Sequence, residues 1–303
     1  MTYLRRLPRF EYLAPGTIGE ACDILAQQGH EARLLAGGTD LVLQMRRREV
    51  VPRYVVGLKG IPELAFIRSN GDGSLAIGAM TTTWAIQSSP LILREYDFLA
   101  QTALELGTLE VRNVATVGGN ICGALPCADF PPPLITLGAR VKLVSKKGER
   151  VISLEDFFLD LEQTAMEPQE LLTEIQIPPL PAFSGGAYIK FHDRHAVDIT
   201  TVGAGAFLTV DPEGKVCRDV SIALATSAPT PLRAKGAEAA LRGQPLTEDA
   251  LEEVARLTCE EARPRTSWRA TREFRQELIR ALTKRALRQA WEKARAAASS
   301  QAR

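Results

Sequence analysis

Two glycine pairs, Ala36-Gly37-Gly38-Thr39-Asp40 and Thr116-Val117-Gly118-Gly119-Asn120, constrain this chain more than any other feature of its sequence. Each follows a short apolar strand candidate, Arg33–Ala36 and Val114–Val117, and each is followed by a helical pattern. Glycine reaches positive φ and lets successive backbone N–H groups point into one concavity, where phosphate oxygens fit with no side chain in the way. One Gly-Gly pair alone usually marks a turn. Two pairs in similar settings leave a structural turn and a two-phosphate site equally open.

Around these pairs, strands and helices interleave. Thr17 and Glu20 form a capping box ahead of Ala21, Ile24 and Leu25, with a stop at Gly29. Leu41-Val42-Met45 continues as a helix, Tyr54–Val56 as a strand, and Phe66–Arg68 pairs with Leu75–Gly78 across Asn70-Gly71-Asp72-Gly73. A helix is expected over Asp97–Leu106 and another from Pro131, because the first helical turn tolerates proline. Val141–Val144 and Arg150–Ile152 flank a Lys146-Lys147-Gly148 turn as a hairpin. Pro178-Pro179-Leu180-Pro181 and Ser184-Gly185-Gly186 then read as a linker. Beyond it, Tyr188–His192, Thr201–Val210 and Val220–Ala225 predict a three-stranded antiparallel meander, followed by helices over 233–242, 247–261 and 268–298. A sheet followed by helices without alternation makes the second part α+β.

Length and charge narrow the function. The 303 residues suggest two domains, and a net charge of +1 excludes a surface built wholly to bind a polyanion. The balance hides a segregation: residues 263–303 hold twelve Lys and Arg against three Glu, so +9 at the C-terminus offsets −8 elsewhere. Leu278, Ile279, Leu282, Ala286, Leu287 and Trp291 lay an apolar stripe beneath those cations, which predicts a docked amphipathic helix; an acidic protein partner or a nucleic acid are its rivals. No apolar run reaches the ~18 residues of a membrane span. Arg5, Arg6 and Arg9 are not followed by a signal-peptide core, so a cytoplasmic location is expected.

Other chemistry finds little support. No P-loop pattern occurs, and Gly203-Ala204-Gly205-Ala206-Phe207-Leu208 has Leu208 where a dinucleotide fingerprint needs glycine, so it reads as close packing in a strand. The five cysteines, Cys22, Cys122, Cys127, Cys217 and Cys259, are odd in number and scattered, as reduced thiols are. Cys122 and Cys127 have the spacing that opens a plant-type iron–sulfur motif, but Phe130 stands where the third cysteine belongs. His192 and His195, beside Asp193 and Asp198, straddle a strand end rather than share a helix face, so no metal site is assigned. No nucleophile elbow is present, and no catalytic residue is nominated.

Taken together, Leu34–Leu41, Thr116–Ile121 and Asp129-Phe130-Pro131-Pro132 with Leu134 resemble the FAD-binding medium subunits of the molybdenum hydroxylases, the group of carbon monoxide and xanthine dehydrogenases. The likeness extends through Pro229-Thr230-Pro231-Leu232-Arg233-Ala234, Glu238, Leu241 and Arg269–Arg275, and so over nearly the whole chain. It implies an α+β chain: a bilobal PCMH-type FAD-binding domain over residues 1–180, with lobes 1–57 and 58–180, then a flavoprotein C-terminal domain over 181–303. It further implies FAD held by Arg33, Leu34, Leu35, Ala36, Gly37, Gly38, Thr39 and Asp40 and by Thr116, Val117, Gly118, Gly119 and Asn120. Asp129 would accept from a flavin hydroxyl or ring donor, Leu172 would pack on the flavin, and Lys190 would lie near the ring and favour its reduced anion. One branch of the family adds a four-cysteine segment for an extra [4Fe–4S] cluster; Asn120–Asp129 holds only Cys122 and Cys127 and has no such insertion.

The implied role is that of an oxidoreductase subunit. Substrate would be oxidised at a molybdopterin centre on a large subunit, electrons would pass through [2Fe–2S] clusters on a small subunit, and FAD would hand them to NAD, a quinone or oxygen. A dimer of heterotrimers is expected. A stand-alone FAD oxidoreductase and a non-catalytic scaffold using the basic helix are the alternatives.

Overall fold

The structure, a computed structural model, describes residues 6–194 and 198–301. His195, one of the two histidines weighed as metal ligands, lies outside the described residues, as do Met1–Arg5, Ala196, Val197 and the last two residues.

The first sheet is parallel and three-stranded, with Tyr54–Gly57 between Glu11–Leu13 and Ala32–Leu35. Parallel strands need crossovers, and the helix Ile18–Gln28 supplies the first. Thr17 caps it by accepting from Glu20 N–H at 3.1 Å, Glu20 reaches back to Gly16 N–H at 2.7 Å, and Gly29 ends it at φ 49°. The helix Leu41–Arg47 follows the first glycine pair.

A five-stranded antiparallel sheet comes next, in the order Ile67–Ser69, Leu75–Gly78, Leu171–Ile177, Arg140–Ser145, Gly148–Ser153. The last strand in sequence, 171–177, takes the central place, and the stretch between Gly78 and Arg140 forms one long excursion from the sheet. That excursion carries six short helices, among them Asp97–Leu104, Leu109–Val114, Val117–Cys122 and Pro131–Thr136.

Here one expectation fails. Val114–Val117 is not a strand: a helix ends at Val114, and Thr116 opens the next by accepting from Gly119 N–H at 3.1 Å. Capping hydroxyls at Thr108 and Thr116 outweigh the β-branched run between them. Only an isolated bridge between Thr82 and Thr116 remains of the expected pairing.

The third sheet contains the expected meander, Ser184–Phe191, Val202–Val210 and Cys217–Ala225, and adds a two-residue fourth strand, Leu232–Arg233, at its edge. Lys235–Leu241, Glu248–Glu261 and the 30-residue helix Arg272–Gln301 follow it. The long helix buries Ile279, Leu282, Ala286, Leu287, Ala290, Ala294 and Ala298 against the sheet. The alanines let it lie close: a Cβ on Gly185 would meet the Ala290 carbonyl oxygen at 2.3 Å. Gly205 turns toward the Pro132–Pro133 backbone, 3.4 Å from where its own Cβ would stand, so this glycine-rich strand is a packing surface as expected. No helix among the described residues is long and apolar enough to cross a membrane.

Candidate cofactor site

The strand Ala32–Leu35 delivers the first glycine pair to the second. A Cβ on Gly37 would stand 2.1 Å from the Val114 carbonyl oxygen, and one on Gly119 would be 3.6 Å from the Ala36 methyl. At Gly37 only glycine permits this approach, whereas the Gly119–Ala36 spacing is ordinary contact. Gly38 has φ +74°, which turns the chain into the helix at Leu41.

The two loops differ in what they offer a ligand. Among the described residues, the N–H groups of Gly37, Gly38, Thr39 and Asp40 meet no protein acceptor, so four consecutive donors are free. In the second loop the donors are engaged: Val117 N–H with Thr81 O at 3.1 Å, Gly118 N–H with Ala79 O at 2.9 Å, Asn120 N–H with Thr116 O at 3.0 Å. Gly119 N–H serves the Thr116 cap. The expectation that both pairs present a row of N–H donors therefore holds only for the first. The second sits inside a helix turn, where its glycines give close backbone approach and Asn120 gives a carboxamide whose Oδ1 takes Phe130 N–H at 3.3 Å.

Asp129 and Lys190 meet each other. Lys190 Nζ donates to Asp129 Oδ2 at 3.0 Å and to the Glu105 carbonyl at 2.8 Å, with its side chain 1% exposed. Asp129 Oδ1 accepts from Tyr188 Oη at 3.0 Å and Thr200 Oγ1 at 2.6 Å. The lysine is thus not a free cation, and both Asp129 oxygens are already engaged. Burial, and then the Asp129 charge, push the Tyr188 phenol well above its ordinary value, so it remains a donor. Tyr188 and Thr200 were not legible as site residues, although Tyr188 lies two before Lys190 on one strand and so shares its face.

The group lies at the base of a cleft of about 250 Å³ lined by Leu106, Gly107, Cys127, Asp129, Ile199 and Thr200. Burial raises the Asp40 carboxyl. Burial, then the charges of Asp129 and Asp40, push the Cys127 thiol up against an opposing pull from Arg269. Cys122 is pushed up to about 12 by burial and contacts Met166 Sδ at 3.6 Å. All five cysteines are free.

Two expected site residues stand elsewhere. Arg33 turns back on its own segment, donating to the His30 and Ala32 carbonyls at 3.0 Å each, because alternate side chains of this strand face opposite ways. The Leu172 side chain is 2% exposed and packs in the main core with Leu143 and Ile175, so it presents no free surface to a ligand. Leu34 and Leu35 are half-buried: Leu35 lies under the loop, 3.1 Å from where a Cβ on Gly38 would stand, and Leu34 packs against the core of Ala21, Leu25 and Val56.

This arrangement has well-characterised counterparts. Residues 8–180 match the family described as FAD binding domain in molybdopterin dehydrogenase, and residues 187–290 match the CO dehydrogenase flavoprotein C-terminal domain. The chain belongs to the FAD-binding subunits of the molybdenum hydroxylases. It is similar to the carbon monoxide dehydrogenase medium chain of Hydrogenophaga pseudoflava, 34% identical over 94% of this chain and 98% of that one. The xanthine dehydrogenase FAD-binding subunit of Escherichia coli O157:H7 is 33% identical over 92% and 95% of the two chains. A solved carbon monoxide dehydrogenase from H. pseudoflava superposes with TM-score 0.91 at 35% identity, covering 95% of this chain and 99% of that one. Quinoline 2-oxidoreductase of Pseudomonas putida superposes at 0.89 with 29% identity, covering 96% and 99%. The chain is accordingly a flavoprotein subunit of a molybdopterin-dependent oxidoreductase, with FAD as its cofactor.

Proposed function

We propose that this subunit takes electrons from [2Fe–2S] clusters of a small partner subunit and passes them, through FAD, to NAD, a quinone or oxygen. The organic substrate is oxidised at a molybdopterin centre on a large subunit, in a cytoplasmic dimer of heterotrimers. The observation that carries the cofactor placement is the run of four free N–H groups from Gly37 to Asp40, laid against the turn at Thr116–Asn120. Free amides at a glycine turn suit a diphosphate. FAD supplies the two-electron and one-electron chemistry. The chain's residues bind and orient: Leu34–Asp40 and Thr116–Asn120 hold the diphosphate end, and Asp129, fixed by Tyr188, Thr200 and Lys190, closes the cleft. Arg33 braces the strand that delivers the first loop, and Leu172 belongs to the core behind the site.

The medium-chain name and near-complete coverage of the relatives favour the subunit over a stand-alone oxidoreductase. The scaffold reading loses ground because the middle of the long helix commits cations to this chain, Arg280 and Lys284 pairing with Glu252 and Arg288 with Glu248.

Absorbance of the purified chain tests the cofactor placement. Gly38→Val and Gly119→Val are expected to lose FAD while keeping native circular dichroism, since Cβ atoms there would lie 3.1 Å from the Leu35 side chain and 3.0 Å from Thr116 Oγ1. Full flavin content in both folded variants would overturn the loop assignment.

A further inference from the structure

The C-terminal cations divide into two groups. Arg280, Lys284, Arg288 and Lys293 each meet a carboxylate of this chain. Among the described residues, Arg263, Arg265, Arg269 and Arg272 of the segment ahead of and at the start of the long helix meet none; Arg285 and Arg295, further along that helix, also lack one, and Arg295 lies over the Trp291 ring at 5.7 Å. Trp268 lies within this second group, 83% exposed, with the Arg269 guanidinium 4.1 Å from its ring centroid.

The corner is held in place. Ser267 N–H donates to Ala270 O at 2.9 Å, and Arg272 N–H to Thr266 Oγ1 at 3.0 Å. Buried Arg275 donates to Ser267 Oγ at 2.9 Å and to the Thr201 carbonyl. Thr201 follows Thr200, which donates to Asp129 at the base of the cleft. The corner is therefore connected to the base of the cofactor cleft through the Arg275 hydrogen bonds and the Thr200–Thr201 backbone. Arg265 and Arg269, after burial, lower the Arg275 guanidinium, and Asp193 is the acid that opposes them.

Clustered, unpaired cations repel one another, and an anionic surface relieves that repulsion. Small-molecule sites are concave, but Trp268 lines no part of the cleft and stands out into solvent. A single-stranded nucleic acid would need a track of stacking rings, whereas Phe274, the nearest exposed aromatic in sequence, packs edge-on against Phe191 at 5.7 Å. An exposed tryptophan with an arginine stacked on it and further unpaired arginines close in sequence has the composition of a protein–protein hot spot.

We propose that Arg265, Trp268, Arg269 and Arg272 dock an acidic surface of the iron–sulfur partner subunit, with Trp268 entering an apolar socket between its carboxylates. The proposal rests on the electron-relay reading: a partner that delivers electrons to the cleft must seat close to it, and this corner carries unpaired cations and an exposed tryptophan, tied through Arg275 and Thr201–Thr200 to the base of the cleft.

Binding of the full-length chain to the purified iron–sulfur subunit tests it, with flavin absorbance recorded on every sample. Trp268→Ala and the pair Arg269→Glu/Arg272→Glu are each expected to weaken Kd about thirtyfold or more. Wild-type affinity should fall steeply with added salt, and the charge-reversed variant should lose that dependence. Unchanged Kd in both folded variants overturns the proposal, as does a loss confined to the molybdopterin subunit or to self-association. The two readings fail separately: flavin-loaded protein with unchanged Kd removes the interface alone, whereas colourless protein with a Kd weakened by the substitutions removes the flavin placement and leaves the interface.

Discussion

Asp129 and Lys190 show how a residue can be placed at a site by sequence and still be misread there. Both lie at the cleft, but each is the other's counter-ion in a nearly dry setting, 3.0 Å apart. Removing one charge leaves its partner buried and uncompensated. Asp129→Asn is expected to cost about 3–5 kcal/mol, measured as a lowered urea midpoint. The double variant Asp129→Asn/Lys190→Met removes both charges, so its loss should fall well short of the sum of the single losses; strict additivity would show that the two groups are uncoupled. The position of Asp129 ahead of a proline-opened helix was legible because motif and turn chemistry are local. Its partners Tyr188 and Thr200, 59 and 71 residues away along the chain, were not, because tertiary packing alone brings them there.

Among the elements, the strand Gly148–Ser153 at the edge of the five-stranded sheet is fastened by two ion pairs, the more exposed Lys142–Glu149 at 2.6 Å and the partly buried Arg150–Glu170. Arg150 donates to both Glu170 oxygens, at 2.6 and 2.8 Å, across the intervening strand Arg140–Ser145. Burial alone would raise the Glu170 carboxyl, but the Arg150 hydrogen bonds and the Glu167 N–H outweigh it and hold the group below its ordinary 4.5. A carboxylate depressed by folding contributes stability above its unfolded pKa, and that stability disappears as pH falls through the folded value. Glu170→Gln should therefore cost ~1–2 kcal/mol at neutral pH, with the gap from wild type closing below about 4.5 in acid-titrated unfolding. A gap that stays constant into that range would disprove the linkage. The hairpin itself was readable from Lys146-Lys147-Gly148, a turn between two apolar runs. The false strand at Val114–Val117 came from the same rules: β-branched residues suggested extension, while Thr108 and Thr116 as caps decided for helices. Period-two patterns shorter than five residues cannot arbitrate between the two.

For the whole molecule, the proline-rich segment at 178–181 marks a change of architecture without a break in the core. One buried cluster contains Phe130, Leu134 and Leu172 from before it and Tyr188 and Ala223 from after it. The Phe98 and Phe207 rings stack at 6.4 Å, and a Cβ on Gly186 would stand 2.5 Å from Phe98. Ion pairs cross as well: Glu155 with Arg233 at 3.3 Å and Lys235 at 2.6 Å, and Lys293 with Asp97 at 2.7 Å. Arg233 also grips buried Glu238 through two bonds, at 2.9 and 3.0 Å, which gives the Pro229–Glu238 stretch a structural purpose at this junction. Two parts that share a core and a buried Asp129–Lys190 pair should unfold together. Chains 1–180 and 181–303 made separately are accordingly expected to lack sharp urea transitions and to hold no FAD, whereas the intact chain melts once by both near-ultraviolet circular dichroism and flavin release. A cooperative transition in the isolated 1–180 fragment, with flavin retained, would show that the first part stands alone and that the shared core is only a docking contact.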